Sequence, residues 1–119
     1  ANPASVRAAV DVLGSRAGHK IFVMGDMAEL GVETQLAHAE SGVYARHGQI
    51  DEFFALGEFS RGAADSFGDN AHWFASHENL VRFLKSKLKP DTAVLVKGSR
   101  SAHMDRVVSE IIEHSDKNN

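Results

Sequence analysis

The residues of this chain best suited to chemistry are the cations and hydroxyls of Lys97-Gly98-Ser99-Arg100-Ser101, which follow at once on the apolar run Val94-Leu95-Val96. A lysine ammonium and an arginine fork are donors matched to a carboxylate or a phosphate, one as a point charge and the other in bidentate geometry. Directly after them Met104, Val107, Val108, Ile111 and Ile112 recur at helical spacing. The loop therefore reads as the junction of a buried strand and an amphipathic helix, whose N-terminal partial charge would add to the two cations. Two readings of these residue types stay open: an anion site, or a plain strand-to-helix turn with Ser101 as N-cap and both cations solvated. Neither Gly-x-Gly-x-x-Gly nor the Gly-Lys-[Ser/Thr] order of a P-loop is present, so the usual loop for a triphosphate is missing.

A second charged loop is Gly25-Asp26-Met27-Ala28-Glu29-Leu30-Gly31, with two acids between two glycines. Asp26 and Glu29 read as solvated acids or caps of the following helix, or else as groups that orient an ammonium or a cationic side chain. His38 sits one position off the apolar stripe of its helix, which fits a packed or surface imidazole better than a catalyst. The other six histidines are scattered, and His72 with His77 lacks a ligand constellation, so no metal is assigned. No Ser/His/Asp arrangement is apparent in the loops, and no catalytic residue is assigned. Asn2 is most simply a helix N-cap.

The elements that must position these groups alternate along the chain. Asn2-Pro3 opens a helix with Val6, Ala9, Val10 and Leu13 on one face, ended by Gly14 and Gly18. Lys20 to Met24 is a short continuous apolar run suited to a strand buried on both faces. A helix from about Val32 to His47 is read from Leu36, Ala39, Val43 and Tyr44, and Phe53 to Leu56 is the next strand. Phe59, Ala63 and Phe67 mark a short helix, His72 to Phe74 a weaker strand suited to a sheet edge, and Leu80, Phe83, Leu84 and Leu88 a helix stopped before Pro90. The strand Thr92 to Val96 and a helix from Ala102 to about His114 follow, with a polar tail, residues 115–119, expected to fray. This alternation predicts an α/β fold: a three-layer, Rossmann-like domain with a mostly parallel sheet and helices on both faces. Ligands of such sheets bind beyond the carboxyl ends of the strands, which directs attention to loops 25–31, 57–61 and 97–101.

Composition bounds the rest. A chain of 119 residues with 43% hydrophobic content holds one modest core, so residues 1–119 are read as one domain. A net charge of −3 with interspersed signs, and no basic stripe alternating with aromatics, excludes the footprint of a nucleic-acid binder. Absence of cysteine removes disulfides and thiolate metal sites and fits a reducing compartment. With no bilayer-length apolar run and no signal-peptide pattern, a soluble cytoplasmic domain without membrane contact is expected. The chain opens at Ala1-Asn2-Pro3 without Met and enters a helix before its first strand. That reads as an N-terminally truncated fragment of a larger protein, with a preceding strand upstream.

Taken together and in order, the opening Ala1-Asn2-Pro3-Ala4-Ser5, the stretch Val23 to Gly31, His38, and Val94 to Ser101 with Met104 resemble the C-terminal domain of the Mur ligases. Within that family the Lys-Gly-Ser-Arg loop is similar to that of the members that add D-alanyl-D-alanine to UDP-N-acetylmuramoyl-tripeptide in peptidoglycan synthesis. The resemblance implies a three-domain, ATP-dependent ligase that forms an amide through an acyl phosphate. ATP and Mg²⁺ would be bound mainly by a central domain, and the UDP-sugar by an N-terminal one. This domain would close over them and position the acceptor dipeptide. Carried over residue by residue, Asn2 corresponds to the last Asn of the family's Asp-x-Tyr-Asn-Ala-Asn-Pro motif. Lys97, Gly98, Ser99 and Arg100 correspond to the loop that faces the acceptor and would hold its carboxylate, with Asp26, Glu29 and His38 as further candidates. Met104-Asp105 stands where the family often has Met-Glu. The alternatives are a non-catalytic α/β anion- or nucleotide-binding module, or the same domain of a Mur ligase with another acceptor.

Overall fold

The computed structural model describes residues 1–28 and 31–117, with side chains through residue 112. Helix α1 (Pro3–Gly14) leads into β1 (His19–Gly25), then α2 (Thr34–His47), β2 (Glu52–Leu56), α3 (Ser60–Phe67), β3 (Ala71–Phe74), α4 (His77–Lys87), β4 (Thr92–Lys97) and α5 (Asp105–Lys117). Among the described residues the sheet has four strands in the order β3-β2-β1-β4, every neighbouring pair parallel. The chain steps outward from β1 through β2 to β3, then crosses back to place β4 on the other side of β1. The switch point of the sheet is therefore the gap between the carboxyl ends of β1 and β4.

Side-chain alternation along the strands builds two cores. Phe22, Met24, Phe53 and Ala55 point to the face covered by α1, α2 and α3, where Val10, Leu13, Ala63 and Phe67 meet them. Ile21, Val23, Phe54 and Leu56 point to the opposite face and pack on Leu80, Val81 and Leu84 of α4 and Val107 of α5. These are the three layers expected from the alternation of elements, with β3 at one edge as its weak pattern implied. Among the described residues no helix is long and apolar enough to cross a membrane.

Three readings of the sequence need correction. The stripe Leu36, Ala39, Val43 lies on the outside of α2: Leu36 is 60% exposed, while Thr34, Ala37, His38, Ser41, Gly42 and Ala45 face inward. Close packing decides this, because a Cβ on Gly42 would collide with the Ala63 carbonyl of α3 and only small residues fit between the two helices. Strand β4 is half-buried along its length, as an edge strand, rather than fully enclosed. Helix α5 begins at Asp105, three residues later than the reading from Ala102, and its backbone runs on to Lys117, past the expected end near His114.

At the amino ends of the strands, away from the switch point, Glu52 ties several elements together. Its carboxylate accepts from His19 Nε2 at 2.6 Å and lies 3.4 Å from Lys87 Nζ and 3.5 Å from His72 Nε2. Burial acts to raise its pKa, but the hydrogen bond from His19 and the charge of Lys87 outweigh it and hold the carboxyl below the usual carboxylate range. A carboxylate with a lowered folded pKa stabilises the fold above its unfolded pKa, about 4.3, and that contribution is lost as pH falls through the folded value. Glu52→Gln is expected to lower the urea midpoint at pH 7 and to flatten its decline on acidification below about pH 4.3. Parallel urea titrations of both proteins from neutral to acid pH measure this, and an equally steep decline in the variant would contradict it.

Candidate functional site

The gap between β1 and β4 closes at two glycines. A Cβ on Gly98 would lie 3.2 Å from Gly25 Cα and 2.6 Å from Met104 Cγ, and one on Gly25 would meet Met104 Sδ at 2.5 Å. Both positions therefore need glycine for the close approach of backbone and side chain. Met104, only 5% exposed, plugs the seam. Beyond it, the Ser99 N–H donates to the Asp26 carbonyl at 2.9 Å, so the loops after β1 and β4 are joined by backbone.

From Ser99 the chain makes a 3₁₀ turn, Arg100–Ala102, with its last bond running from His103 N–H to Arg100 O. His103 adopts a left-handed conformation (φ 54°), and α5 starts only after Met104. Ser101 is thus not the N-cap of α5. Its hydroxyl instead lies 3.0 Å from that of Ser99. The helix dipole is also less available to the loop than the sequence implied, because the first residue of α5 is Asp105, an acid that itself suits that position.

Lys97 and Arg100 line one cavity of about 660 Å³, together with Ala1, Val96, Gly98, Ser99, His103, Met104, Asp105 and Val108. Neither cation pairs with a carboxylate among the described residues, whereas Glu52 and Glu78 elsewhere take Lys87 and Arg106. Two cations without a carboxylate partner among the described residues, on the wall of a cleft at the carboxyl end of an edge strand, together suit an anion. Asp105 on the same rim disfavours a highly charged one such as a triphosphate. Ser99 also borders a second cavity of about 440 Å³, lined by Asp26, Met27, Ala28, Leu56, Gly57, Phe59, Ala75, His77, Ser101 and Ala102.

The remaining candidates are placed differently. Asp26 faces the second cavity, but its carboxylate turns to the start of α3 and accepts from Ser60 N–H and Ser60 Oγ, each at 2.7 Å. It caps α3, not the helix that follows it in sequence. His38 is fully buried, with Nδ1 donating to Thr34 O at 2.7 Å and Nε2 accepting from Met27 N–H at 3.0 Å. It braces the loop after β1 from beneath and has no nitrogen left for a ligand. Asn2 is the N-cap of α1, in a reciprocal box with Ser5, and its neighbour Ala1 reaches the first cavity. Glu29 lies outside the described residues.

Sequence reasoning missed Ser60, which caps against Asp26 across 34 positions, and His77, whose Nε2 donates to Ala102 O at 2.9 Å and ties the start of α4 to the 3₁₀ turn. Nothing local in the sequence marks either contact. Among the described residues no group of three or more His, Asp or Glu is arranged to hold a metal ion. Among the described residues no donor set fits a resident Mg²⁺, and the sequence holds no P-loop.

Comparison with known proteins sharpens the reading. The family described as Mur ligase, glutamate ligase domain, matches residues 1–100. The UDP-N-acetylmuramoyl-tripeptide–D-alanyl-D-alanine ligase of Escherichia coli (strain K12) is 38% identical over 116 residues, covering 96% of this chain and 25% of that protein. Its counterpart from Buchnera aphidicola of Acyrthosiphon pisum is 36% identical over 118 residues, covering 98% and 26%. A crystal structure of MurF from Acinetobacter baumannii superposes with a TM-score of 0.87 at 32% identity, over 95% of this chain and 26% of that one. MurF from Thermotoga maritima, solved in complex with ADP, shares the fold with a TM-score of 0.87 at 21% identity, over 100% and 27%. The chain thus spans about a quarter of the length of the relatives it matches.

His38→Ala is expected to destabilise the chain by about 2–4 kcal/mol, because it leaves the buried Met27 N–H without an acceptor and opens a cavity under the loop. Urea unfolding of the variant measures this, and a loss below about 0.5 kcal/mol would contradict the structural role of the imidazole.

Proposed function

Because the chain belongs to the Mur ligase family, matching its glutamate ligase domain, we propose that it is the acceptor-binding domain of an enzyme that joins D-alanyl-D-alanine to UDP-N-acetylmuramoyl-tripeptide. The names of the similar proteins support this acceptor over that of another Mur ligase. The observation that carries the reading is the pair Lys97 and Arg100, cations without a carboxylate partner among the described residues, on one cavity at the carboxyl end of β4.

In this reading the dipeptide carboxylate lies on Lys97 and Arg100, with the Gly98 and Ser99 backbone close against it. The N–H groups of Arg100 and Ser101 come first in the 3₁₀ turn and have no partners inside it. Fixing the carboxylate fixes the other end of a short dipeptide, so its amine is presented to the carboxyl group of the tripeptide. The domain contributes orientation and exclusion of water rather than a nucleophile of its own. In this proposal ATP and Mg²⁺ belong to the central domain of the full-length enzyme, as the UDP-sugar belongs to its N-terminal domain. The reaction is placed in the cytoplasm, where nucleotide-linked substrates are made.

Charge-assisted hydrogen bonds contribute about 1.5–3 kcal/mol, so Lys97→Ala or Arg100→Ala in the full-length ligase is expected to raise the Michaelis constant for D-alanyl-D-alanine by about 10- to 100-fold. Those for ATP and the UDP-tripeptide are expected to stay within about twofold. Steady-state kinetics with each substrate varied in turn decide the matter, and an unchanged dipeptide constant in both variants would remove the site. The isolated chain is expected to show no ATP turnover dependent on the two acceptor and donor substrates. Such turnover, detected as phosphate release, would overturn the division of labour between domains.

A further inference from the structure

Asp26, just after β1, is bonded to the loops on both sides of it at the carboxyl-end rim. Its Oδ1 accepts from Ser60 N–H and Ser60 Oγ at 2.7 Å each, its Oδ2 from Phe59 N–H at 3.3 Å, and its carbonyl from Ser99 N–H at 2.9 Å. Helix α3 has no cap of its own, because its N-cap position is Phe59. The missing acceptor comes from the end of β1, 34 residues earlier. Gly57 is shaped to this contact: it has φ +113°, and a Cβ there would lie 2.6 Å from the Asp26 carboxylate. Its carbonyl accepts from Trp73 Nε1 at 2.8 Å, which pins the same loop to β3.

The cations of the acceptor site have no such anchorage. The side chains of Lys97 and Arg100 make no hydrogen bond or ion pair among the described residues, so their position is inherited from the backbone on either side of Ser99. That backbone is tied to the loop after β1 by the Ser99 N–H bond to Asp26, whose own placement is fixed by the start of α3. The carboxylate of Asp26 is spent on amides and a hydroxyl, and it is not directed at a substrate ammonium.

We propose that Asp26 is a positioning residue, a latch whose carboxylate grips the loop after β2 and whose carbonyl grips the loop after β4, so that the two loops hold one geometry. The consequence for catalysis rests on the acceptor-site reading above: a loose latch misplaces Lys97 and Arg100 and weakens dipeptide binding selectively. The latch itself is a statement about coupling between loops and is read separately.

The test uses the full-length ligase with Asp26→Ala, Asp26→Asn and Gly57→Ala, each followed by hydrogen exchange with mass spectrometry and by steady-state kinetics. Asp26→Ala and Gly57→Ala are expected to speed exchange both in peptides covering 57–62 and in peptides covering 97–102. They are also expected to raise the dipeptide Michaelis constant by about tenfold while those for ATP and UDP-tripeptide move less than about twofold. Asp26→Asn, which keeps an oxygen for Ser60, is expected to restore most of both. Faster exchange confined to 57–62, or equal losses in all three Michaelis constants together with a lower Tm, would overturn the latch. Coupled exchange with an unchanged dipeptide constant supports the latch and overturns the acceptor assignment.

Discussion

The arrangement of the whole carboxyl-end rim depends on how closely β1 and β4 approach where they end. Gly25 and Gly98 face each other without side chains, Met104 fills the seam between them, and Ser99 N–H reaches the Asp26 carbonyl just beyond it. A methyl group on either glycine would push Met104 out or part the strands. With the strands parted, the loops after β1 and β4 would lose their shared hydrogen bond, and the cations of one would lose their fixed relation to the other. The site is in this sense a product of packing before it is a product of charge.

The two poles of the sheet differ in how their charges are paired. At the amino end, ions are paired: Glu52 gathers His19, His72 and Lys87. At the carboxyl end, Lys97 and Arg100 have no carboxylate partner among the described residues, while the Ser99 and Ser101 hydroxyls pair with each other and the Asp26 carboxylate is taken up by the start of α3. A rim held together by its own hydrogen bonds can keep two like charges exposed without collapsing around them, at a cost met by the core beneath. His38 contributes from below by fixing the Met27 amide. Asp26 and His38, which the sequence offered as candidate ligand contacts, are instead bonded to neighbouring loops and helices.

The fold was legible in the sequence because its signals are local. Apolar runs such as Ile21 to Met24 and Phe53 to Leu56 mark buried strands, Asn2-Pro3 marks a helix start, and Gly57 and Gly98 mark strand ends. The face of α2 was not legible, since Leu36 and Val43 look like core residues until the close contact of Gly42 with α3 is known. The loop 97–101 was visible as a cluster of cations and hydroxyls, but the 3₁₀ turn and the left-handed His103 that separate it from α5 were not. Neither was the role of Asp26, because a cap supplied to α3 from the end of β1 leaves no trace in the residues around either partner. Contacts across 30 or more positions are set by topology, and periodicity does not report them.

The central claim is that the carboxylate of the acceptor dipeptide rests on the loop after β4, at the switch point of the sheet. A crystal structure of the full-length ligase with D-alanyl-D-alanine and the UDP-tripeptide bound tests it most directly. The account predicts the dipeptide carboxylate within hydrogen-bond distance of Lys97 Nζ and the Arg100 guanidinium. A dipeptide whose carboxylate is held by other residues, with Lys97 and Arg100 both facing solvent, would contradict it.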